Sequence, residues 1–380
     1  MLLFTPGPTP TPEFLRNALA LPTLHHRTKE FEAYFALARQ NLQAMLKMNE
    51  VLMIASSGSG AMEASMLTFC KKPLCVNSGK FGERFGKIAK AHKIDFVEVV
   101  SEWDTAPTAD EIKAILEKDK DIDSLCIQVC ESAGGLRHNV EGIAKMAKSL
   151  NPKIVIIADA ITAMGVEEID TSHIDVLIGG SQKAFMLPPG MAILGLSDYA
   201  VNLAEERDIG FYFNLKTELK NQRKSTTAWT APTSIIIALA KYFECVDLKK
   251  VYKETKARGV ALDSAMRALG LKIYPKNPAI AMATIYNEKS PEIRRILKSD
   301  YGVNVAGGQD KLKESIFRIN NMGLIEVYEM AWVVNAVELT LDKLGIRAFD
   351  GSANKVFLSE YYANLAKDSQ NLGGNSQNLM

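Results

Sequence analysis

Short apolar runs rich in β-branched residues alternate with amphipathic stretches through the first two-thirds of the chain. VLMIAS (51–56), PLCVNS (73–78), DFVEVV (95–100), SLCIQVC (124–130), IVIIAD (154–159), DVLIGG (175–180) and AILGLS (192–197) read as strands. Several are unbroken apolar runs, which a strand needs only when both of its faces are covered. Between them, FGERFGKIAKAHK and VEGIAKMAKSL repeat apolar residues at helical spacing. This alternation predicts an α/β fold, a three-layer α/β/α domain around a mostly parallel seven-stranded sheet. Ligands of such folds bind beyond the carboxyl ends of the strands.

Residues 234–250 and 251–269 read as helices, after which the rhythm changes. LKIYP, IAMATIY, VNVAG and SIFRIN are interleaved with PEIRRILKSDYG and a long helix across 324–344, which predicts a smaller α+β C-terminal domain. The expected division is an N-terminal arm (1–14), a large domain (15–255), a small domain (256–362) and a flexible tail (363–380). The tail ends in SQNLGGNSQNLM, polar and glycine-containing, with SQNL repeated.

A length of 380 residues suits one large and one smaller core. The 45 basic and 44 acidic residues are scattered, so no basic stripe marks a nucleic-acid groove. No apolar run is long enough to span a membrane, and MLLFTPGPTPTP lacks the basic start of a signal peptide. The five cysteines (Cys70, Cys75, Cys126, Cys130, Cys245) form no CxxC and read as free thiols in a reducing cytoplasm. The histidines show no helical i, i+4 pair, and no metal site is expected.

Candidate chemistry starts at Lys183, the one charged residue between Asp175 and Asp198 in VLIGGSQKAFMLPPGMAILGLS. Burying an ammonium without a partner is costly, and burial lowers a lysine pKa toward a neutral, nucleophilic amine. Its alternatives are a snorkelling loop lysine or a structural ion pair. Asp159 ends the apolar run IVIIAD. It reads as a helix cap or turn residue, or as a carboxylate that keeps the pyridine nitrogen of pyridoxal 5'-phosphate (PLP) protonated. The second reading gives Lys183 a partner in chemistry, with Ile161 packing under the ring. SSGSGAMEASM (56–66) follows a strand and opens a helix, either as a plain serine-capped turn or as a phosphate cradle of free N–H groups. Gln182 is placed to reach that phosphate, and Phe81 either stacks on the ring or belongs to the core. Arg318, between apolar neighbours in SIFRIN, is either a snorkelled strand residue or a bidentate clamp for a substrate carboxylate.

Taken together, TPGPTPTP, SSGSGAMEA, GKFGERFG, QVCESAGG, VIIADAITAMG, GGSQKAFMLPPG, STTAWTAP and FRINNMG resemble the class V aminotransferases of PLP fold type I. The resemblance is nearest to the serine–pyruvate/alanine–glyoxylate branch and runs to about residue 345. It implies that Lys183 holds PLP as a Schiff base, that Asp159 meets the ring nitrogen, with Ile161 beneath the ring, and that Phe81 takes the stacking position. It further implies that Ser59, Gly60, Ala61 and Gln182 cup the phosphate, that Ser132 lies at the cofactor, and that Arg318 and Gly7 line the substrate pocket. Thr230 matches a residue that reaches across a homodimer interface into the neighbour's site, while Thr227 stands where relatives often carry tyrosine. One departure is clear. Where the branch reads E-x-S-T-G, this chain has Glu131, Ser132, Ala133, Gly134 and Gly135.

The function these residues imply is amino-group transfer between a small amino acid (alanine, serine or similar) and a 2-oxo acid such as glyoxylate or pyruvate. A ping-pong mechanism and a cytoplasmic homodimer with shared active sites go with it. Phosphoserine or aspartate aminotransferase activity on the same fold is the alternative. A PLP lyase such as a cysteine desulfurase would want a nucleophilic cysteine in the C-terminal third, and none follows Cys245. A non-catalytic subunit would have little use for an intact Lys183–Asp159 pair.

Overall fold

All seven expected strands form, and they form one sheet. A computed structural model describes residues 1–373. Across the sheet the strands run Glu50–Ile54, Ala192–Leu196, Val176–Gly180, Val155–Asp159, Ser124–Gln128, Pro73–Asn77 and Val97–Val100. Only Ala192–Leu196 is antiparallel to its neighbours. Ser124–Gln128, Val155–Asp159, Val176–Gly180 and Ala192–Leu196 are buried at every position, as unbroken apolar runs require. Val97–Val100 alternates between half-buried and exposed because it is the sheet edge.

Helices pack on both faces of this sheet and close two apolar clusters. One gathers Phe31, Phe35, Leu125, Ile127, Ile156 and Ile193. The other gathers Leu52, Met62, Phe85, Cys126, Ile157 and Leu194. Successive residues of one strand thus feed opposite clusters, following the two-residue side-chain period of a strand. Cys70, Cys75, Cys126 and Cys130 are buried as free thiols and Cys245 is exposed.

A second sheet has its own core. Its order is Leu2–Phe4, Val303–Gly307, Ile316–Asn320, Met282–Tyr286 and Lys272–Ile273. Here the structure departs from the expected division in three places. The N-terminal arm is not separate, because Leu2–Phe4 pairs in parallel with Val303–Val305 and Phe4 enters the small core. Helix Leu248–Ala268 runs unbroken through the expected boundary at residue 255: half-buried Leu248 packs against the large core, while Ala257, Ala261, Leu262, Ala265 and Met266 belong to the small one. The expected tail from residue 363 is helical through its first part: Ser352–Gly373 is one helix, held by Ala353, Phe357 and Tyr361 in the small core. Those three lie four residues apart on one helix face, a signal outweighed by the polar repeat that follows. Residues 374–380 lie outside the described part. Among the described residues no helix is long and apolar enough to cross a membrane.

Candidate active site

Strands of the large sheet deliver several loops to one edge. Asp159 is the last residue of its strand and pairs in register with Gln128 and Ile178 on the flanking strands. Gly180 ends the next strand, and the chain turns directly into Ser181, Gln182 and Lys183. The turn is fixed from inside: Ser181 Oγ donates to Pro188 O at 2.6 Å and its own N–H donates to Met191 O at 3.0 Å. These loops and the N-terminal segment enclose a cavity of about 310 Å³. Gly7, Ser59, Phe81, Ser132, Asp159, Ile161, Gln182 and Lys183 all line it.

Lys183 is reached from the far end of the chain. Its Nζ donates to the carbonyl of Pro6. Thr9 Oγ1 donates to Lys183 O at 2.7 Å, and Thr9 N–H to Gln182 O at 3.2 Å. Gly7 lies between these contacts with φ +102°, and a Cβ there would stand 2.7–2.8 Å from Lys183 Cδ, Cε and Nζ. Glycine is therefore needed twice over, for conformation and for room. Burial pushes the Lys183 ammonium down to about 8, with the Arg318 charge adding to it and Asp159 opposing it. Lys183 keeps exposure only of the intermediate kind, toward the cavity that it lines.

Two buried carboxyls stand in this region, Asp159 at the cavity and Glu131 behind Phe81. Asp159, 5% exposed, accepts the Ile161 N–H at 3.0 Å. Burial raises its pKa to about 6, against the pull of that hydrogen bond and of the Arg84 and Lys183 charges. Glu131 is fully buried and accepts three backbone N–H groups, from Phe81 (3.0 Å), Gly82 (2.8 Å) and Ala133 (2.9 Å). Burial still raises it to about 7, with those three donors opposing. Glu131 thus fixes the backbone of Phe81, the aromatic residue at the cavity, although sequence reasoning had assigned it no role.

At the helix Gly58–Phe69 the expected cradle of Ser59, Gly60 and Ala61 shifts two residues toward the N-terminus. Gly60 and Ala61 donate to Ser57 O and do not line the cavity, so their amides are spent inside the helix. Ser57, Gly58 and Ser59 face the cavity instead, and no side chain caps this helix. Ser57 stands at the N-cap position without a side-chain hydrogen bond, and the first-turn amides of Gly58 and Ser59 have no backbone partner inside the helix. Gly60 is small for packing reasons, since a Cβ would meet Ser56 Oγ and Phe213. Gly58 is small because Ile161 Cδ1 occupies the space beside it.

Arg318 does not line the cavity. It lies just behind Ser132, donating from Nη1 to Ser132 O at 2.5 Å and from Nε and Nη2 to Gly307 O at 3.0 and 2.6 Å. It is 7% exposed, and burial lowers its pKa to about 10. Both acceptors are neutral carbonyls, so a buried cation stands here without an ion-paired carboxylate among the described residues. Thr230 is exposed and outside the cavity of its own chain. The departure at Glu131–Gly135 has a steric cause. A Cβ on Gly134 would come within 2.6 Å of Trp103 O, and Gly135 adopts φ +70° against Thr284. The backbone carbonyl of Trp103 occupies the space that a side chain at position 134 would need.

Arg84, Cys130 and Thr162 also line the cavity and were not expected there. Arg84 was detectable in principle, because it follows Phe81 by three residues at the start of helix Gly82–Ala91. Cys130 was read only as a buried thiol, which it is; burial pushes its pKa far up.

The cavity fits an aldehyde cofactor that carries a phosphate and a basic ring nitrogen. It offers a lysine of lowered pKa, a buried carboxyl, an aromatic face and an uncapped helix start. Comparison with known proteins agrees. The sequence model of "Aminotransferase class-V" matches residues 11–327. An "uncharacterized aminotransferase" of Helicobacter pylori is 53% identical over 95% of this chain and all of its own length. An L-aspartate–glyoxylate aminotransferase of Paracoccus denitrificans is 25% identical over 90% of this chain and 92% of its own. The solved structure of a Thermus thermophilus aspartate aminotransferase of subgroup IV superposes with TM-score 0.84 at 28% identity, covering 90% of this chain and 99% of that one. The chain belongs to the class V aminotransferases and is a PLP-dependent transaminase.

Proposed function

We propose that this enzyme moves an amino group between a small amino acid, alanine or serine, and a 2-oxo acid, glyoxylate or pyruvate, by a ping-pong cycle. The observation that carries the reading is the convergence of Lys183, Asp159, Phe81 and Gln182 on one cavity with the uncharged-partner Arg318 behind Ser132. When bound, PLP supplies an electron-withdrawing ring that stabilises negative charge at the substrate Cα.

In this reading Lys183 is the residue that would hold the aldehyde of the cofactor. Once displaced, its amine takes the proton from the substrate Cα, a task suited to a group held near 8 rather than 10.5. Asp159 keeps the ring nitrogen protonated from a site that excludes water. Phe81, fixed through Glu131, and Ile161 both line the cavity and would hold the ring. Ser59, Gln182 and the helix start at Gly58 receive the phosphate; the Gln182 side chain has no hydrogen-bond partner among the described residues. Arg318 receives the substrate carboxylate by exchanging carbonyl acceptors for a charged one, and Gly7 shapes the wall beside it. Bidentate guanidinium–carboxylate pairing fixes the Cα–H bond relative to the lysine.

The enzyme is further proposed to be a cytoplasmic homodimer in which Thr230 of one subunit completes the site of the other. Exposed Thr230 and its exposed aromatic neighbours support this. Phe211 is 80% exposed and packs on Trp229 at a ring separation of 4.8 Å. Relatives named for aspartate keep aspartate as the second reading for the amino donor. The test is a donor panel of alanine, serine, aspartate and phosphoserine, read by conversion of the bound cofactor to its amine form. Conversion by alanine or serine at least tenfold faster than by the other two is expected; preference for aspartate or phosphoserine would reassign the donor. Lys183→Ala should abolish the visible absorbance of the lysine-bound aldehyde and lower transfer by roughly 10²–10⁴-fold or more.

A further inference from the structure

The charges around the cavity do not balance unless one residue outside the expected set takes part. Three charged side chains line it: Arg84, Asp159 and Lys183. A phosphate ester brings close to two negative charges at neutral pH. Lys183 is committed to the aldehyde, and the charge of Asp159 is matched by the ring nitrogen that it would keep protonated. Hydrogen bonds from the amides of Gly58 and Ser59 and from Gln182 are neutral. Of the cavity's own side chains, only Arg84 is left to offset the phosphate.

Its placement fits that task. Arg84 Nη1 donates to Ser59 Oγ at 2.8 Å, which sets the guanidinium one hydroxyl away from the uncapped start of helix Gly58–Phe69. Arg84 forms no ion pair with a carboxylate among the described residues, and one hydrogen bond engages one of its five N–H donors. Its Cζ lies 4.8 Å from the centre of the Phe81 ring, so the same side chain borders both the aromatic face and the helix start. The Arg84 charge also acts on Asp159, whose carboxyl it pulls down.

We propose that Arg84 is a cofactor-binding residue, the charge partner of the PLP phosphate within its own subunit. This rests on the cofactor site assigned above. The rival role is purely structural, a guanidinium that only props Phe81 and Ser59. Pyridoxal separates the two, because it presents the same ring and aldehyde without a phosphate.

The experiment titrates apo-enzyme with PLP and, separately, with pyridoxal, following the absorbance of the lysine-bound aldehyde in wild type, Arg84→Gln and Arg84→Lys. Arg84→Gln should weaken PLP binding roughly 10- to 100-fold, the size of a lost charge-assisted contact. Pyridoxal affinity should stay within about twofold, and Arg84→Lys should fall between for PLP, keeping the charge but not the fork. Equal losses for both aldehydes would overturn the proposal in favour of the propping role. Unchanged PLP affinity with a raised KM for aspartate would also overturn it, assigning Arg84 to a substrate carboxylate. If Arg84→Gln does not fold, Arg84→Lys carries the same comparison: a selective loss for PLP supports the proposal, and equal affinities or equal losses overturn it. A wild-type protein showing no band with either aldehyde would remove the cofactor site itself, and this assignment with it.

Discussion

Lys183 illustrates how one side chain acquires chemistry from its surroundings. Its ammonium titrates near 8 in the folded protein and near 10.5 when free, so between those values the unfolded chain binds the extra proton. Stability of the apo-enzyme therefore rises with pH across that window, by about 3 kcal/mol from this residue. Urea melts of wild type and Lys183→Met at pH 7.5 and 10 should isolate it as a narrowing of the gap between the two proteins. A gap independent of pH would mean that the lysine is already solvated. Glu131 obeys the opposite sign, because its folded pKa is raised, but its three N–H donors make it above all a structural acceptor. Removing it would leave three amides buried without partners.

The N-terminal segment joins two elements that are distant in sequence. Leu2–Phe4 extends the small sheet, and five residues later Thr9 is bonded to the backbone of the loop that carries Lys183. Gly7 is the contact point. Gly7→Ala should weaken attachment of the aldehyde cofactor to Lys183 by tenfold or more, because the methyl group displaces the amine. The backbone strain adds about 1–2 kcal/mol to the cost. Spectral titration with PLP measures this, and affinity equal to wild type would show that the segment moves aside freely. The phosphate-facing helix teaches a related lesson. SSGSGAMEA marks a helix start in the sequence, yet which amides remain free depends on where the first helical hydrogen bond closes, and Ser57 O closes it at Gly60.

The whole molecule presents an exposed aromatic face beside Thr230, on the segments around Phe211 and Trp229. A homodimer would cover it and bring Thr230 into the neighbouring cavity. Phe211→Glu should shift the protein from dimer toward monomer in sedimentation velocity and weaken PLP binding in parallel, since each site would lose its partner's contribution. A wild-type monomer with full cofactor affinity would refute the shared site. The proposed substrate recognition would span the same scale, because Arg318 comes from the small sheet while Asp159 ends a strand of the large one and Lys183 follows another.

Local periodicity was enough to identify every strand of the large sheet and to place Asp159 at a strand end, with Lys183 just past the next one. Covered strands need unbroken apolar runs, and a charge inside such a run stands out wherever the chain later folds. Contacts between distant segments left no such trace. Pro6 and Lys183 are 177 positions apart, and Gly134 is excluded from carrying a side chain by a carbonyl of Trp103. Nothing in the local sequence marks Arg84 off from a helix-surface cation; only packing brings it against Ser59 and Phe81. Periodicity reports which face of an element is buried; what that face meets is settled only when the elements pack.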